Sequence, residues 1–506
     1  MSEALKCLYA SMPVSDAVDY PVALFEAYAR HGAFLWRKGP FAGRVPEGLF
    51  AAYVLYHRVN NEDLTEYGTE TFHRRLFYEE LKDRIAGLDM RQAALKANYW
   101  CASQATYRPT DGRTASPMCV YRSAYGRCGE ESTFTASVLR SIGIPARQLY
   151  VPLWSHCDDN HAWVEAWCDG EWAVLGGCEP KEVLIKGWFN AASSRAMLVH
   201  SKLPLPLAEC RTEEGGREAG EKREAAQTLA GNDMCLVLNH TDRYALTTEQ
   251  RVSVCDKAGA PQPDALVRFE VMNGSCFGEI ASVRTDEDGR CTLRLGLGSV
   301  HVTASKGGAY GERLIDTREG KCCGIVLDGT AQRPEQWEEL TISAPKDSAV
   351  NRVDLTGQEK RRGRERLEEA GRLRQEKEGL FFDEALAGLV TERLDQGERD
   401  RCMDIMKRAC GNQREIADFL GKPAAGAYPE RWKIALLESL REKDYRDITA
   451  EILEENCRET AVWEGAYADP VLVPYVLCPR VGNEMIRPFR RFIRSWLEQE
   501  SHRRGR

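Results

Sequence analysis

The sequence predicts an α+β protein: a helix-and-sheet core preceded by helices, then a small antiparallel β-sandwich, then a helical region. Three observations predict it. Apolar residues recur at helical spacing at Phe134, Val138, Leu139 and Ile142, and strand-like runs joined by a hairpin turn follow directly. Between Val252 and Val302 the apolar period becomes two, with Gly-, Asn- and Asp-rich turns between the runs. From Leu380 to Trp496 it returns to three and four.

The first hundred residues read as supporting helices. Residues 20–31, 49–57 and 77–85 carry apolar side chains at three- and four-residue intervals. Asp89-Met90-Arg91-Gln92 is a capping box for a helix through Ala94, Ala97 and Trp100. A turn-rich loop over 111–117 then leads toward Cys128.

Arg127-Cys128-Gly129-Glu130-Glu131-Ser132 opens the next helix, which stops at Gly143. A cysteine at a helix N-terminus sits where unpaired N–H groups and the helix dipole favour thiolate, the nucleophilic form. Residues 148–151 form a short strand. After a loop, Asn160-His161-Ala162-Trp163-Val164-Glu165 forms a longer one, and Asp169-Gly170 turns it into a return strand from Glu171. A thiol on a helix cap with an imidazole on a later strand is what acyl transfer through a thioester needs: the imidazole takes the thiol proton and later returns it to the leaving amine. For an arbitrary cysteine and histidine, ordinary burial is the commoner outcome. The order of elements argues otherwise.

Gly126-Arg127-Cys128-Gly129-Glu130, Ile142-Gly143-Ile144-Pro145-Ala146-Arg147 and His161-Ala162-Trp163-Val164-Glu165, in that order, resemble the nucleophile motif, helix-to-strand turn and histidine strand of the transglutaminase-like superfamily, in its bacterial multidomain form. The resemblance implies a papain-like core with a Cys, His, Asp triad, Cys128 falling on the nucleophile and His161 on the base. Its third member does not carry over. With a two-residue turn at Asp169-Gly170, Trp167 faces Trp172 and Trp163 faces Gly176, so glycine stands where the family's aspartate meets the imidazole. Glu165 shares the face of His161 but lies roughly 13 Å along at about 3.3 Å per residue. Glu179 is the substitute orienter on this reading, provided Gly176-Gly177 makes a bulge that reverses its parity. A Cys/His dyad and a partly disabled site are the alternatives. Trp100, Trp154 and Trp163 are the expected cleft residues, with core packing the competing role of a helix-face tryptophan such as Trp100.

His156, Cys157, Asp158 and Asp159, with Cys168 and Cys178, are potential zinc ligands, but no short paired Cys motif accompanies them, and neither metal nor cofactor is expected. Trp188 is expected to pack on the core, closing a first domain over 1–206. Residues 207–232, rich in Glu, Gly, Arg and Lys, read as a linker. The sandwich occupies 233–330 and resembles the prealbumin-like modules appended to carboxypeptidases. It reads as a spacer or docking surface, and its Asp-rich turn at 285–289 is short of calcium ligands. A mixed-charge linker or solvated helix spans 331–379, and 380–506 is a helical domain. Its apolar stripe Met485, Phe489, Phe492 and Trp496 is either core or a partner-docking face. The basic tail at 503–506 reads as disordered.

A formal net charge of −8 argues against nucleic acid as a partner. No run approaches the roughly 20 apolar residues of a transmembrane helix. Eighteen cysteines without regular spacing read as reduced thiols, so a cytoplasmic location is expected for the chain as given, with export if the true start lies upstream. Three functions remain open: a cysteine hydrolase cutting an amide of a protein or peptide, which is favoured because water needs no second substrate site; a transferase that cross-links glutamine to an amine; and a non-catalytic interaction protein.

Overall fold

The computed structural model describes residues 2–62, 64, 72–184, 189–204, 227–229, 235–329, 339–350, 353–392, 394–464, 477, 480–481 and 484–485. Trp188, most of the 207–232 linker, the stripe residues Phe489, Phe492 and Trp496, and the basic tail lie outside the described residues.

Helix α1 (Val22–Lys38), α2 (His73–Leu81), α3 (Met90–Gln104) and α4 (Pro117–Ser123) surround a central helix α5 (Cys128–Ser141). The capping box of α3 is present: Asp89 accepts from the Gln92 N–H at 2.8 Å, and Gln92 accepts from the Asp89 N–H at 3.3 Å. The α5 residues Phe134, Val138 and Leu139, with Ile142 just beyond, are fully buried and share one core with α1, α2 and α3. Two neutral imidazoles fasten the back of α5. His31 of α1 donates from Nε2 to the Ser141 carbonyl at 2.9 Å, and His73 of α2 meets the Ser137 hydroxyl at 3.0 Å. Gly143, at φ +87°, ends the turn beyond α5 in a conformation that suits glycine.

The chain then builds a six-stranded antiparallel sheet from β1 (Ala146–Val151), β2 (His161–Cys168), β3 (Glu171–Leu175), β4 (His200–Pro204), β5 (Gln227–Leu229) and β6 (Cys235–Asn239), in the order β3-β2-β1-β4-β6-β5. The Asp169-Gly170 turn has positive φ at both residues, and Trp167 pairs with Trp172 as the two-residue turn requires. Strand β6 completes this sheet by pairing with β4, although the sequence break at 207–232 assigns it to the sandwich.

The sandwich comprises β7 (Thr247–Asp256), β8 (Leu266–Asn273), β9 (Cys276–Arg284), β10 (Arg290–Gly296), β11 (Ser299–Lys306), β12 (Ala309–Asp316) and β13 (Cys322–Leu327). One sheet runs β9-β8-β11-β12 and the other β10-β7-β13. The alternating residues Val252, Val254, Val267, Phe269, Val271, Leu293, Leu295, Val300 and Val302 are all exposed by 1% or less and make the shared core. One pairing departs from the expected antiparallel arrangement: β13 enters the second sheet parallel to β7.

Helix α6 (Gly357–Gly379) begins on a Thr356/Glu359 capping box and packs along α3. Its charges have defined partners. Arg362 and Arg366 bind the buried Glu182 at 2.7 and 3.1 Å, Arg366 covers the Tyr99 ring, and Lys377 covers Tyr121. The helical region after residue 380 has its own core, with Trp432, Leu436 and Leu440 on one packed face. Among the described residues no helix is long and apolar enough to cross a membrane.

Candidate active site

The first turn of α5 meets the start of β2. Cys128, the first residue of α5, is half-buried, and the Ala162 backbone N–H lies close enough to its sulfur to favour the thiolate. Strand β3 ends at Leu175 opposite Val164, two residues short of Ala162, so the Ala162 amide lies beyond that ladder. Adjacent Cα atoms are about 3.8 Å apart, and the thiol therefore lies within a residue's length of His161.

Burial dominates the electrostatics of both groups. It pushes the Cys128 thiol up, while the Ala162 N–H, the Arg127 charge and the Gly129 N–H oppose it. It pushes the His161 imidazole down to about 4, with the Asp159 carboxylate opposing. The resting pair at neutral pH is thus a thiol beside a neutral imidazole. A helix N-terminus alone predicts a thiolate; here withdrawal from water outweighs the dipole. The His161 ring lies 5.9 Å from Trp163, nearly parallel to it, and 4.9 Å from Phe189, edge-on.

Glu179 is placed by a turn and not by the bulge expected from the sequence. Gly176 and Glu179 bridge across a tight turn in which Cys178 has φ +54°. Gly177 rides on the α5 backbone, where a Cβ would stand 2.7 Å from the Ser132 nitrogen. Glu179 folds back over Gly176: a Cβ at 176 would lie 3.0 Å from the Glu179 Cβ and 3.2 Å from its Oε2. The carboxyl therefore fills the space where a side chain at 176 would begin. Behind it, Glu131 is buried and its carboxyl is held well above the usual range, by burial first and then by Glu179 and Glu130. Glu165 has other partners. Arg147 and the Tyr244 hydroxyl bind it, both at 2.6 Å.

Trp100 is 5% exposed and packs among Phe77, Tyr121 and Phe134 in the core. Trp154 is buried beneath the loop before β2, and Trp163 is fully buried, its indole N–H donating to the Tyr244 hydroxyl at 3.1 Å. A cavity of about 430 Å³ is walled by Arg127 and Gly129, which flank Cys128, by Ala162, next to His161, and by Gln148, His200 and Lys202. None of the three tryptophans lines it. Among the described residues no group of three or more His, Cys, Asp or Glu side chains is placed to hold a metal.

Both later regions brace the site, which the sequence did not suggest. Glu130, in the first turn of α5, is 1% exposed and accepts from the Arg127 and Ala115 N–H groups and the Thr110 hydroxyl. Its charge is matched by Lys443 of the helical region at 2.8 Å, and the same ammonium binds Asp111 at 2.9 Å and the Arg113 carbonyl. Arg113 is in turn buried against Asp444 and Asp447. On the other side, the Asn273 amide of the sandwich donates to the Trp154, Cys157 and Asp159 carbonyls, and the Gly274 N–H to Asp158. That turn fixes the loop that delivers His161. An Asn-Gly turn and a lysine in a helical region carry no sequence signal of these partners.

Residues 79–176, from α2 to the end of the β2–β3 hairpin, match the family profile described as Transglutaminase-like superfamily. That segment is transglutaminase-like, and Gly176 is its last matched residue. Solved structures similar to the chain include a putative cysteine protease from Cytophaga hutchinsonii, 11% identical over 54% of this chain and 57% of that one with a TM-score of 0.19, and red sea bream transglutaminase, 12% identical over 52% and 59% with a TM-score of 0.21. The chain thus spans less than two thirds of either. No curated protein matches it.

Proposed function

We propose that the protein is a thiol enzyme that hydrolyses an amide bond in a protein or peptide through a thioester on Cys128. The observation that carries the reading is the closeness of the Ala162 N–H to the Cys128 sulfur, which supports a thiol lying against the strand that bears His161. As the sulfur attacks the carbonyl carbon, its proton passes to the imidazole. The imidazolium returns that proton to the departing amine as the C–N bond breaks. Water then gives a proton to the imidazole and adds to the thioester; as the C–S bond breaks, the imidazolium passes that proton to the departing sulfur, releasing the thiol and a carboxylic acid. A neutral resting pair suits this order, because charge separates only while substrate excludes water. Glu179, folded over Gly176, is the proposed orienter of the ring, and Asp159 supplies a further negative charge that favours the imidazolium.

The test is the rate at which an electrophile labels Cys128, read at peptide level against pH, in the wild type and His161→Ala. The expected rate is faster than that of an exposed thiol, depends on His161, and still climbs between pH 7 and 9 because burial holds the thiol protonated. Labelling no faster than an exposed thiol, unaltered by His161→Ala, refutes the enzyme. Incubation with a glutamine peptide and a labelled amine then separates the chemistries: new termini or ammonia without amine incorporation are expected, and incorporation instead identifies a cross-linking transferase.

A further inference from the structure

We propose that the cavity beside Cys128 recognises an anion, so that the acyl substrate carries a carboxylate near its reacting amide. This rests on the thiol-enzyme reading and extends it to the substrate class. Fourteen residues wall the cavity. Two of them, Arg127 and Lys202, are cations and none is Asp or Glu, in a chain whose 77 acidic residues outnumber its 69 basic ones. The pocket therefore departs in sign from the protein around it, and a one-signed cleft concentrates ligands of the opposite sign.

Its donors are poorly used. Arg127 donates from one guanidinium nitrogen to the Gly112 carbonyl at 2.7 Å and the Thr114 hydroxyl at 3.4 Å, while its buried Nε has no hydrogen-bond partner. His200 Nδ1 is likewise buried and without a partner; burial keeps that imidazole neutral, down to about 3, and Nδ1 donates when it carries the ring's one proton. Lys202 is exposed and donates to the Asn60 side-chain oxygen at 3.0 Å, which leaves N–H groups of the ammonium for a ligand. Buried donors without acceptors are costly, and an incoming carboxylate satisfies them with charge-assisted bonds.

The neighbouring carboxylates do not cancel this charge. Glu130 and Asp111 are both bound by Lys443, and Glu62 accepts from the Val59 and Asn60 N–H groups behind the wall. Asp159 is exposed, outside the wall, and close enough to His161 and Cys128 to raise both. It disfavours an anion at the sulfur itself and so directs the carboxylate toward the Arg127–Lys202 end.

The experiment compares two reagents with the same electrophile, 3-maleimidopropionate and N-ethylmaleimide, on the full chain at pH 7.5 and low salt. Cys128 labelling is read at peptide level, and the rate ratio is divided by the ratio measured on N-acetylcysteinamide. The expected normalised ratio is about tenfold in favour of the anionic reagent, falling about threefold or more in Lys202→Gln and shrinking as salt is added. A normalised ratio near one, or one that Lys202→Gln leaves unchanged, overturns the proposal. If Cys128 reacts with neither reagent, the thiol-enzyme reading fails by itself, and glutarate titrated into the wild type and Lys202→Gln decides the pocket. Binding that weakens in the variant supports an anion site; absence of binding to the wild type overturns it.

Discussion

Replacing His31 by glutamine removes one of the two imidazoles that hold the back of α5 while keeping an N–H donor for the Ser141 carbonyl. His31 is 6% exposed, and burial lowers its imidazole from 6.5 to about 4 in the folded chain. As pH falls, the unfolded chain takes up this proton first, so the His31 contribution is fully present above 6.5 and is lost on descending toward 4. At pH 5 the loss works out to about 2 kcal/mol, from 2.303RT per unit over the interval in which only the unfolded chain is protonated. Native-state hydrogen exchange of the α5 amides measures it, because the opening free energy of that helix is read at each pH. Between pH 7.5 and 5.0 the wild type is expected to lose about 2 kcal/mol more than His31→Gln, the other buried histidines cancelling between the two proteins. Equal losses refute the claim that His31 is held neutral against α5.

Two further outcomes follow from the same geometry. Lys443→Met leaves the buried Glu130 carboxyl without its cation, so docking of the helical region against the start of α5 is expected to weaken by about 3–5 kcal/mol; faster limited proteolysis of residues 110–123 reports it, and unchanged cleavage contradicts it. Glu179→Gln is expected to slow turnover by about ten- to a thousandfold if its carboxyl orients the imidazole; an unaltered rate leaves a Cys/His dyad.

Much of the site is legible in sequence because its signals are local. The Arg127-Cys128-Gly129 helix start, the Gly143 stop and the Asp169-Gly170 turn each depend on neighbouring residues, and together they fix the register through Val164 and Leu175. The sandwich strands are legible for the same reason, since an alternating period needs no distant partner. What escapes depends on tertiary burial or long-range pairing. The protonation of Cys128 and His161 follows from how far each is withdrawn from water, which no motif records. The fold of Glu179 over Gly176 is made by a turn seated on α5, where sequence suggests only a bulge. Strand β6 returns to the first sheet across a stretch whose composition marks a boundary.

The Glu130–Lys443 pair joins residues 313 positions apart, by 443 minus 130. Ribosomes add roughly 5–20 residues per second, so the carboxylate in the first turn of α5 emerges roughly 15–60 s before its cation is made. During that interval a nascent chain already possesses the sulfur, the imidazole strand and the hairpin, yet lacks the counterion that seats them. The start of α5 thus gains this buried counter-charge only after the helical region has been translated.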